Sequence, residues 1–175
     1  MKKKKLVLML SMLFSICTFG QNASLDEAVQ NWERAKVYTK EYLDAMPATG
    51  YSFKPTPDMR SFADQMLHLT DALYGFTAAA TGETSPLALG ALEKSSNKTK
   101  DSVIKNVMAG YDYVIAGLKK MSPEKLSEKV KLFGRFDMTR LAAFDKEFEH
   151  QTHHRGQTTV YLRLQGAKPP AEKLF

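Results

Sequence analysis

Cysteine is almost absent from this chain, and its position limits what sulfur chemistry is open to it. The single cysteine is Cys17, close to the N-terminus. One cysteine cannot form a disulfide within the chain. If Cys17 is removed with a leader segment, the remaining protein has no thiol nucleophile, and any sulfur chemistry requires a thiol from another molecule.

Long apolar runs are also lacking. A short one, Leu6–Phe14, follows the four lysines Lys2–Lys5 and precedes a few small residues before Gln21. A membrane-spanning helix needs about 20 apolar residues, whereas a basic start followed by a short apolar core is typical of a cleaved secretory signal. We therefore predict a signal peptide over 1–20 and an exported domain over 21–175. The mature protein would be periplasmic or secreted, with no stable membrane anchor.

Two other interpretations of the N-terminus are weaker. An uncleaved anchor would need a longer apolar run than this segment offers. A lipoprotein signal with acylated Cys17 would normally have a small residue just before the cysteine, where this chain has Ile16.

A strong excess of one charge is missing once the leader is set aside. The whole chain has 25 basic and 19 acidic residues, a net charge of +6. Removing Lys2–Lys5 leaves 21 basic residues against 19 acidic ones, a net of +2. Because there is no basic stripe interleaved with aromatic residues, we expect no nucleic-acid partner.

Four long amphipathic segments account for most of the mature chain. Apolar residues recur at spacings of three and four over about 24–46, from about Asp58 to Ala80, over some 20 residues ending near Met121, and over about 139–165. Ile104, Val107, Tyr111, Val114 and Leu118 give the clearest such pattern. Alternation over 129–138 indicates a short β-hairpin. The predicted fold is all-α, an antiparallel four-helix bundle with that hairpin between helices three and four.

Three of the four histidines fall within five residues of the last helix. His150 and His154 are four residues apart, so a helix places both imidazoles on one face. His68 lies at the edge of the apolar stripe of the second helix and could complete a set of three nitrogen ligands. Three protein ligands with an open position are typical of catalytic metal sites. His153 could replace His154, but it lies further from the apolar stripe and is interpreted as a surface or supporting residue.

The residues that follow His154 have expected structural roles. We expect Arg155 to pair with buried carboxylates, and Gly156 to lie where a neighbouring helix approaches closely. Four side chains are candidates for holding the free imidazole N–H groups, and the alternative is that they belong to an ordinary polar helix surface: Asp64, Asp71, Glu147 and Gln157.

These motifs together resemble the DinB-like family over essentially the whole mature chain. The resemblance rests on the segment Arg60–His68, the run from His150 to Gln157 containing His-His-Arg-Gly-Gln, the later Leu162, Gly166 and Pro169-Pro170, and the entry Phe53–Pro57. It implies a four-helix bundle with a divalent cation, commonly zinc, nickel or iron, on three histidines. The matching positions are His68, His150 and His154. It also implies relatives that are isomerases or S-transferases dependent on low-molecular-weight thiols.

The expected function is that of a metal-dependent enzyme acting on a small-molecule substrate. Activation of a water molecule would make it a hydrolase, and activation of a small thiol would make it a transferase or isomerase. Export weakens the thiol version, because the small thiols of the relatives are mainly cytoplasmic. The alternative is an exported metal-binding or ligand-binding bundle without turnover. The resemblance implies a homodimer, although no apolar stripe is clearly surplus to the core.

Overall fold

The computed structural model describes residues 25–175. The predicted signal peptide, which includes Cys17, lies outside the described residues. Helix α1 covers 25–45, and a single 3-10 turn, Ala48–Gly50, follows it. The later elements, in chain order, are α2 (Phe62–Thr81), α3 (Lys100–Lys119), α4 (Pro123–Ser127), β1 (Lys129–Leu132), β2 (Phe136–Thr139) and α5 (Arg140–Leu164). The predicted all-α bundle of four long helices with a hairpin is confirmed.

Helix α2 begins later than the sequence pattern suggested. Its N-cap is Ser61, whose side chain accepts a hydrogen bond from the Asp64 backbone N–H at 3.1 Å, and Asp64 in turn accepts from the Ser61 backbone. This reciprocal cap satisfies two backbone donors that a helix start leaves free. The prediction of a start near Asp58 was wrong because Asp58 lies in a turn that precedes the cap. Gly82 ends the helix at φ 79°.

The core forms where the predicted apolar stripes meet. In α3, the side chains of Val107, Tyr111, Val114 and Leu118 are fully buried, as their three-and-four spacing predicts. Helix α1 contributes Trp32, whose ring meets that of Phe148 of α5 edge-on at 5.1 Å. Helix α2 lies between α3 and α5, so its residues contact both.

Close helix packing occurs at two other glycines and not at the one expected. A Cβ atom added to Gly110 of α3 would lie 2.7 Å from Thr70 Cγ2, and one added to Gly117 would lie 2.9 Å from Thr77 Cγ2. No atom lies within 4 Å of the same position at Gly156, which is exposed. The prediction that a helix approaches Gly156 was therefore wrong, and the close contact joins α2 to α3.

Two short elements lead from α3 to α5. Ser122 and Pro123 begin α4, where the Ser122 side chain accepts a hydrogen bond from the backbone N–H of Lys125. The antiparallel hairpin then pairs Lys129 with Thr139 and Leu132 with Phe136. Within the described part of the chain, no helix has the length and apolar character that crossing a bilayer requires.

Candidate metal centre

The bundle brings three of the four histidines into one cluster. One possible ligand atom from each of His68, His150 and His154 lies within 4.8 Å of the others. Their ring centroids are separated by 4.3 Å for His150 and His154, 4.7 Å for His68 and His154, and 5.6 Å for His68 and His150. We call these three residues the histidine cluster.

The cluster is assembled by the packing of α2 against α5. The four-residue spacing in α5 aligns His150 and His154 on one face, and α2 presents His68 from across the interface. His154 is buried, while His68 and His150 are half-buried. The cluster therefore lies at the edge of the core, with one side accessible.

Glu93 fixes the orientation of His68. One carboxylate oxygen of Glu93, Oε2, lies 3.0 Å from His68 Nδ1, and the other, Oε1, accepts a hydrogen bond of 2.6 Å from Arg60 Nε. Partial burial raises the pKa of Glu93, but the hydrogen bonds from Arg60 and His68 outweigh it, so the pKa lies below its ordinary value. A carboxylate that accepts the Nδ1 proton leaves Nε2 of His68 bare, which is the form that binds a cation.

Asp71 acts one step further from the histidines than expected. It accepts the backbone N–H groups of Leu92 and Glu93 at 3.1 and 2.9 Å. It therefore fixes the loop that carries Glu93 and does not hold an imidazole. Glu93 itself was missed at the sequence level, because it lies in the irregular segment 82–98, where no periodicity indicates which way a side chain points.

Two glutamines support His154. Gln65 Nε2 lies 2.7 Å from His154 Nδ1 and also contacts the Gln157 side chain, whose amide nitrogen is 3.0 Å from His153 Nε2. Rotating both amides by half a turn would let Gln65 Oε1 accept the His154 Nδ1 proton and keep the chain of hydrogen bonds intact. Gln157 was expected as a direct partner of a ligand, whereas it reaches His154 through Gln65.

The two cluster histidines of α5, His150 and His154, are uncharged at neutral pH. Burial, followed by repulsion from His68, His153 and Arg60, lowers the pKa of His150 from 6.5 to about 4. Burial, followed by repulsion from His150 and His68, lowers the pKa of His154 to about 3. Neutral imidazoles have a lone pair available, so both side chains are ready to bind a cation near pH 7.

Other candidates near the cluster have different roles. His153 is exposed and lies outside the group of converging nitrogen atoms. Glu147 is fully buried, with both carboxylate oxygens within 3.1 Å of Thr77 Oγ1, and Asp64 caps α2. Neither carboxylate holds an imidazole, so neither of these two candidates has the supporting role.

Arg155 also differs from expectation. No carboxylate of the described residues forms an ion pair with it. Its guanidinium instead lies 4.4 Å from the centre of the Tyr38 ring and donates to Gln151 Oε1 at 3.2 Å. The ring face stabilises the buried cation in place of a carboxylate.

A cavity of about 360 Å³ opens beside the cluster. His68 and His150 line it, together with apolar residues of α2 and of the hairpin turn. The accessible side of the cluster therefore faces a space large enough for a small molecule.

Comparison with known proteins agrees with this architecture. The sequence model of the DinB family matches residues 19–174. A DinB-like protein from Bacillus cereus superposes with a TM-score of 0.74 at 18% identity, covering 85% of this chain and 97% of that one. A DinB-like protein from Bacillus subtilis gives 0.65 at 19% identity, covering 85% and 96%. A conserved protein from Enterococcus faecalis gives 0.65 at 16% identity, covering 79% and 95%. No curated protein matches the sequence.

Proposed function

This chain belongs to the DinB family, and from that premise we propose that it is an exported, metal-dependent enzyme acting on a small molecule. His68, His150 and His154 would hold one divalent cation. The reaction would be either hydrolysis, or a transfer or isomerisation that uses a small thiol. The convergence of three histidines beside an open cavity is the observation that carries the proposal.

The donor set fits a cation such as zinc, nickel or iron. Metal–nitrogen bonds of about 2.1 Å in tetrahedral geometry place the nitrogens roughly 3.4 Å apart. Nitrogens already within 4.8 Å of one another reach that spacing by small side-chain rotations. Two of the imidazoles are neutral at pH 7, and imidazole is a ligand that suits all three metals.

A divalent ion with an open position lowers the pKa of a water molecule or thiol that occupies it. The chain's own contribution is to bring the three rings together and leave that position accessible. Glu93 holds His68 and Gln65 holds His154, so both rings keep one orientation. The cavity on the side of His68 and His150 provides room for a substrate.

Metal content and turnover should be measured on the same preparation. We expect about one divalent ion per chain by elemental analysis of protein purified from its native compartment. Hydrolysis of small esters or amides and thiol conjugation of small electrophiles would then be assayed. His150→Ala should lose both the ion and the turnover, whereas His153→Ala, an exposed histidine on the same helix, should keep both. Protein without stoichiometric metal in the native compartment would end the proposal.

A binding module without turnover is the second candidate, and one observation favours it. The carboxylate nearest the cluster, Glu93, is already engaged by Arg60 and His68, and Glu147 is turned to Thr77. Neither is free to act as a general base. Stoichiometric metal with no turnover for any tested substrate would support this second candidate.

Export is part of the proposal because of Lys2–Lys5 and the apolar segment that follows. The family match over 19–174 leaves most of the proposed leader outside it. N-terminal sequencing of the native protein should find Gln21 as the first residue. A mature chain that still begins at Met1 would contradict cleavage.

A further inference from the structure

The cavity beside the histidine cluster is apolar on most of its walls. Phe76 of α2, Leu89 of the following loop and Phe133 of the hairpin turn form its sides, and Ala72 and Gly75 lie on α2 between them. His68 and His150 lie at one end. A molecule that reaches the cluster from this cavity therefore contacts apolar side chains along the rest of its length.

Phe133 is held over this cavity at a cost in backbone energy. The turn from Leu132 to Arg135 is closed by the Arg135 N–H, which donates to Leu132 O at 3.0 Å. Its two central residues, Phe133 and Gly134, have φ of 50° and 68°. Such a turn favours Asn or Gly at both positions, and a bulky residue there is strained. Strain of this kind persists where the surrounding structure imposes it, often at ligand sites.

The ring of Phe133 is positioned by one aromatic contact and is otherwise open. It meets Phe76 edge-on, with ring centroids 4.8 Å apart and an interplanar angle of 80°. Even so, Phe133 is 48% exposed. A large apolar side chain that is strained, ordered by a neighbour and half-exposed at a cavity has one face available to a ligand.

Gly75 keeps this space open. A Cβ atom added there would lie 3.6 Å from Leu89 Cδ1 and 3.7 Å from Phe133 Cε1, at ordinary contact distance from both walls. Alanine at this position would therefore fit without moving the neighbouring side chains, and its methyl group would reduce only the volume of the cavity. The absence of a side chain at Gly75 sets the width of the site.

Charged groups at the rim are already paired within the protein. Arg60 and His68 both contact Glu93, and Asp71 accepts two backbone N–H groups. A charged ligand would have to compete with these partners, whereas an uncharged one leaves them intact.

We propose that this cavity binds the apolar group, an aromatic ring or a branched alkyl chain, of an uncharged small molecule whose sulfur or oxygen end faces His68 and His150. Phe133 is the residue that sets this specificity, together with the space at Gly75. The inference rests on the proposed function, because the heteroatom end is oriented by the ion that the cluster holds.

Cobalt-loaded protein allows the two proposals to be tested separately. Cobalt(II) titration alone reports the metal site through its visible absorption. Benzyl mercaptan and 2-mercaptoethanol are then titrated into the loaded protein, since a sulfur ligand changes that spectrum. We expect benzyl mercaptan to bind at least about tenfold more tightly, because its ring is buried in the cavity.

Variants of the cavity should remove this preference without changing cobalt affinity. Phe133→Asn relieves the turn and deletes the wall, and Gly75→Ala narrows the space, so each should reduce the benzyl preference at least about fivefold. Phe136→Asn, an equally exposed phenylalanine of the same hairpin outside the cavity lining, should keep it.

The possible failures have different meanings. Normal cobalt binding with equal affinity for the two thiols, or with the preference intact in Phe133→Asn and Gly75→Ala, would overturn the apolar-pocket inference and leave the metal site standing. Absence of cobalt binding by the unmodified protein would overturn the proposed function and this inference with it.

Discussion

Helix α5 carries two groups of buried or half-buried polar residues that differ in their surroundings. The first, with His68 of α2, is the histidine cluster. The second, the inner network, consists of Glu147, Gln151 and Arg155 with their partners on other helices. The cluster borders a cavity, whereas the inner network is enclosed by the bundle.

The polar side chains of the inner network form hydrogen bonds with one another and with their partners on other helices. Tyr111 of α3 donates to Gln151 Oε1 at 2.8 Å and lies 2.7 Å from Thr39 Oγ1 of α1, so one chain of contacts links three helices. In the cluster, by contrast, hydrogen-bond partners hold His68 and His154 from one side, and nitrogens of these rings converge with one of His150 on the other. Burial of a polar side chain in a helix therefore does not by itself indicate a site; convergence on an accessible space does.

Loss of a cluster histidine should have the largest effect and should affect only metal binding. His150→Ala removes a ligand from a half-buried position, so we expect cation affinity to fall by at least about 100-fold. The free energy of unfolding of the metal-free protein should change by no more than about 1 kcal/mol, since the site is half open. Isothermal titration with zinc and urea denaturation would measure the two quantities. A metal-free variant that loses several times this stability would show that the cluster is also structural.

The pH dependence of stability should reveal the enclosed carboxyl group of the inner network. Burial raises the pKa of Glu147 well above its ordinary value of 4.5, and the Thr77 hydroxyl only partly offsets this. The folded state keeps a proton that the unfolded state releases, so this contribution is complete below pH 4.5 and is lost as pH rises towards the folded-state pKa. Relative to Glu147→Gln, the protein should lose up to about 1.4 kcal/mol per pH unit over that window.

Urea denaturation of both proteins from pH 4 to pH 8 would measure this difference. His150 and His154 are present in both, and their lowered pKa values act in the opposite direction, so their contribution cancels. Parallel stability curves would show that Glu147 is ionised inside the protein. Cation affinity should be the same for both.

Removing the central amide of the inner network should reduce stability and leave the metal site intact. Gln151→Leu has nearly the same volume but deprives Arg155 of its acceptor and Tyr111 of one of its two hydrogen-bond partners, which should cost about 2 kcal/mol of unfolding free energy. Thermal and urea denaturation would show the loss. Gln30→Leu, at an exposed glutamine of α1, should stay near the unmodified value. A large fall in cation affinity in Gln151→Leu would mean that the two groups are coupled.

Changing the partner of His68 should have an intermediate effect on metal binding. Glu93→Gln keeps an acceptor but removes the negative charge, and we expect cation affinity to fall about tenfold. Glu83→Gln changes an exposed glutamate that bonds Lys120 and should leave affinity unchanged. Equal zinc titrations for Glu93→Gln and the unmodified protein would show that Glu93 serves Arg60 alone.

The smallest effect is expected at Gly156, an exposed residue that follows Arg155 in α5. Alanine there meets no atom within 4 Å and removes a glycine from a helix interior, so stability should rise by about 0.5–1 kcal/mol with metal affinity unchanged. Gly110→Ala should instead destabilise the protein, because its Cβ would collide with Thr70. A loss of stability in Gly156→Ala would mean that this face is covered by another molecule.

The sequence was most informative where the structure repeats locally. The spacing of Val107, Tyr111 and Val114 predicts a helix face because burial follows the helical period, and His150 with His154 predicts a shared face for the same reason. That His68 meets them also followed from four helices packing as one bundle. Their role as metal ligands stays a prediction.

The remaining features depend on contacts between distant segments. Glu93 reaches His68 only because Asp71 fixes the path of an irregular loop, and no local pattern encodes that path. Arg155 has an aromatic ring as its neighbour, and a helical wheel does not distinguish a ring from a carboxylate on the facing helix. The direction in which Gly156 faces likewise depends on which helix surface is left uncovered.

The hydrogen bonds of Asp71 also determine how the site would respond to unfolding. By binding the backbone of the loop, Asp71 keeps His68 and Glu93 together in one half of the site. Helix α5 supplies the other half, with His150 and His154. Separation of the halves would remove the complete donor set in one step. Cation occupancy and bundle closure then share one equilibrium, and free cation at 100 times its Kd would stabilise the closed chain by about 2.7 kcal/mol. If the cluster holds an ion, scarcity of that ion would therefore reduce the lifetime of the folded protein.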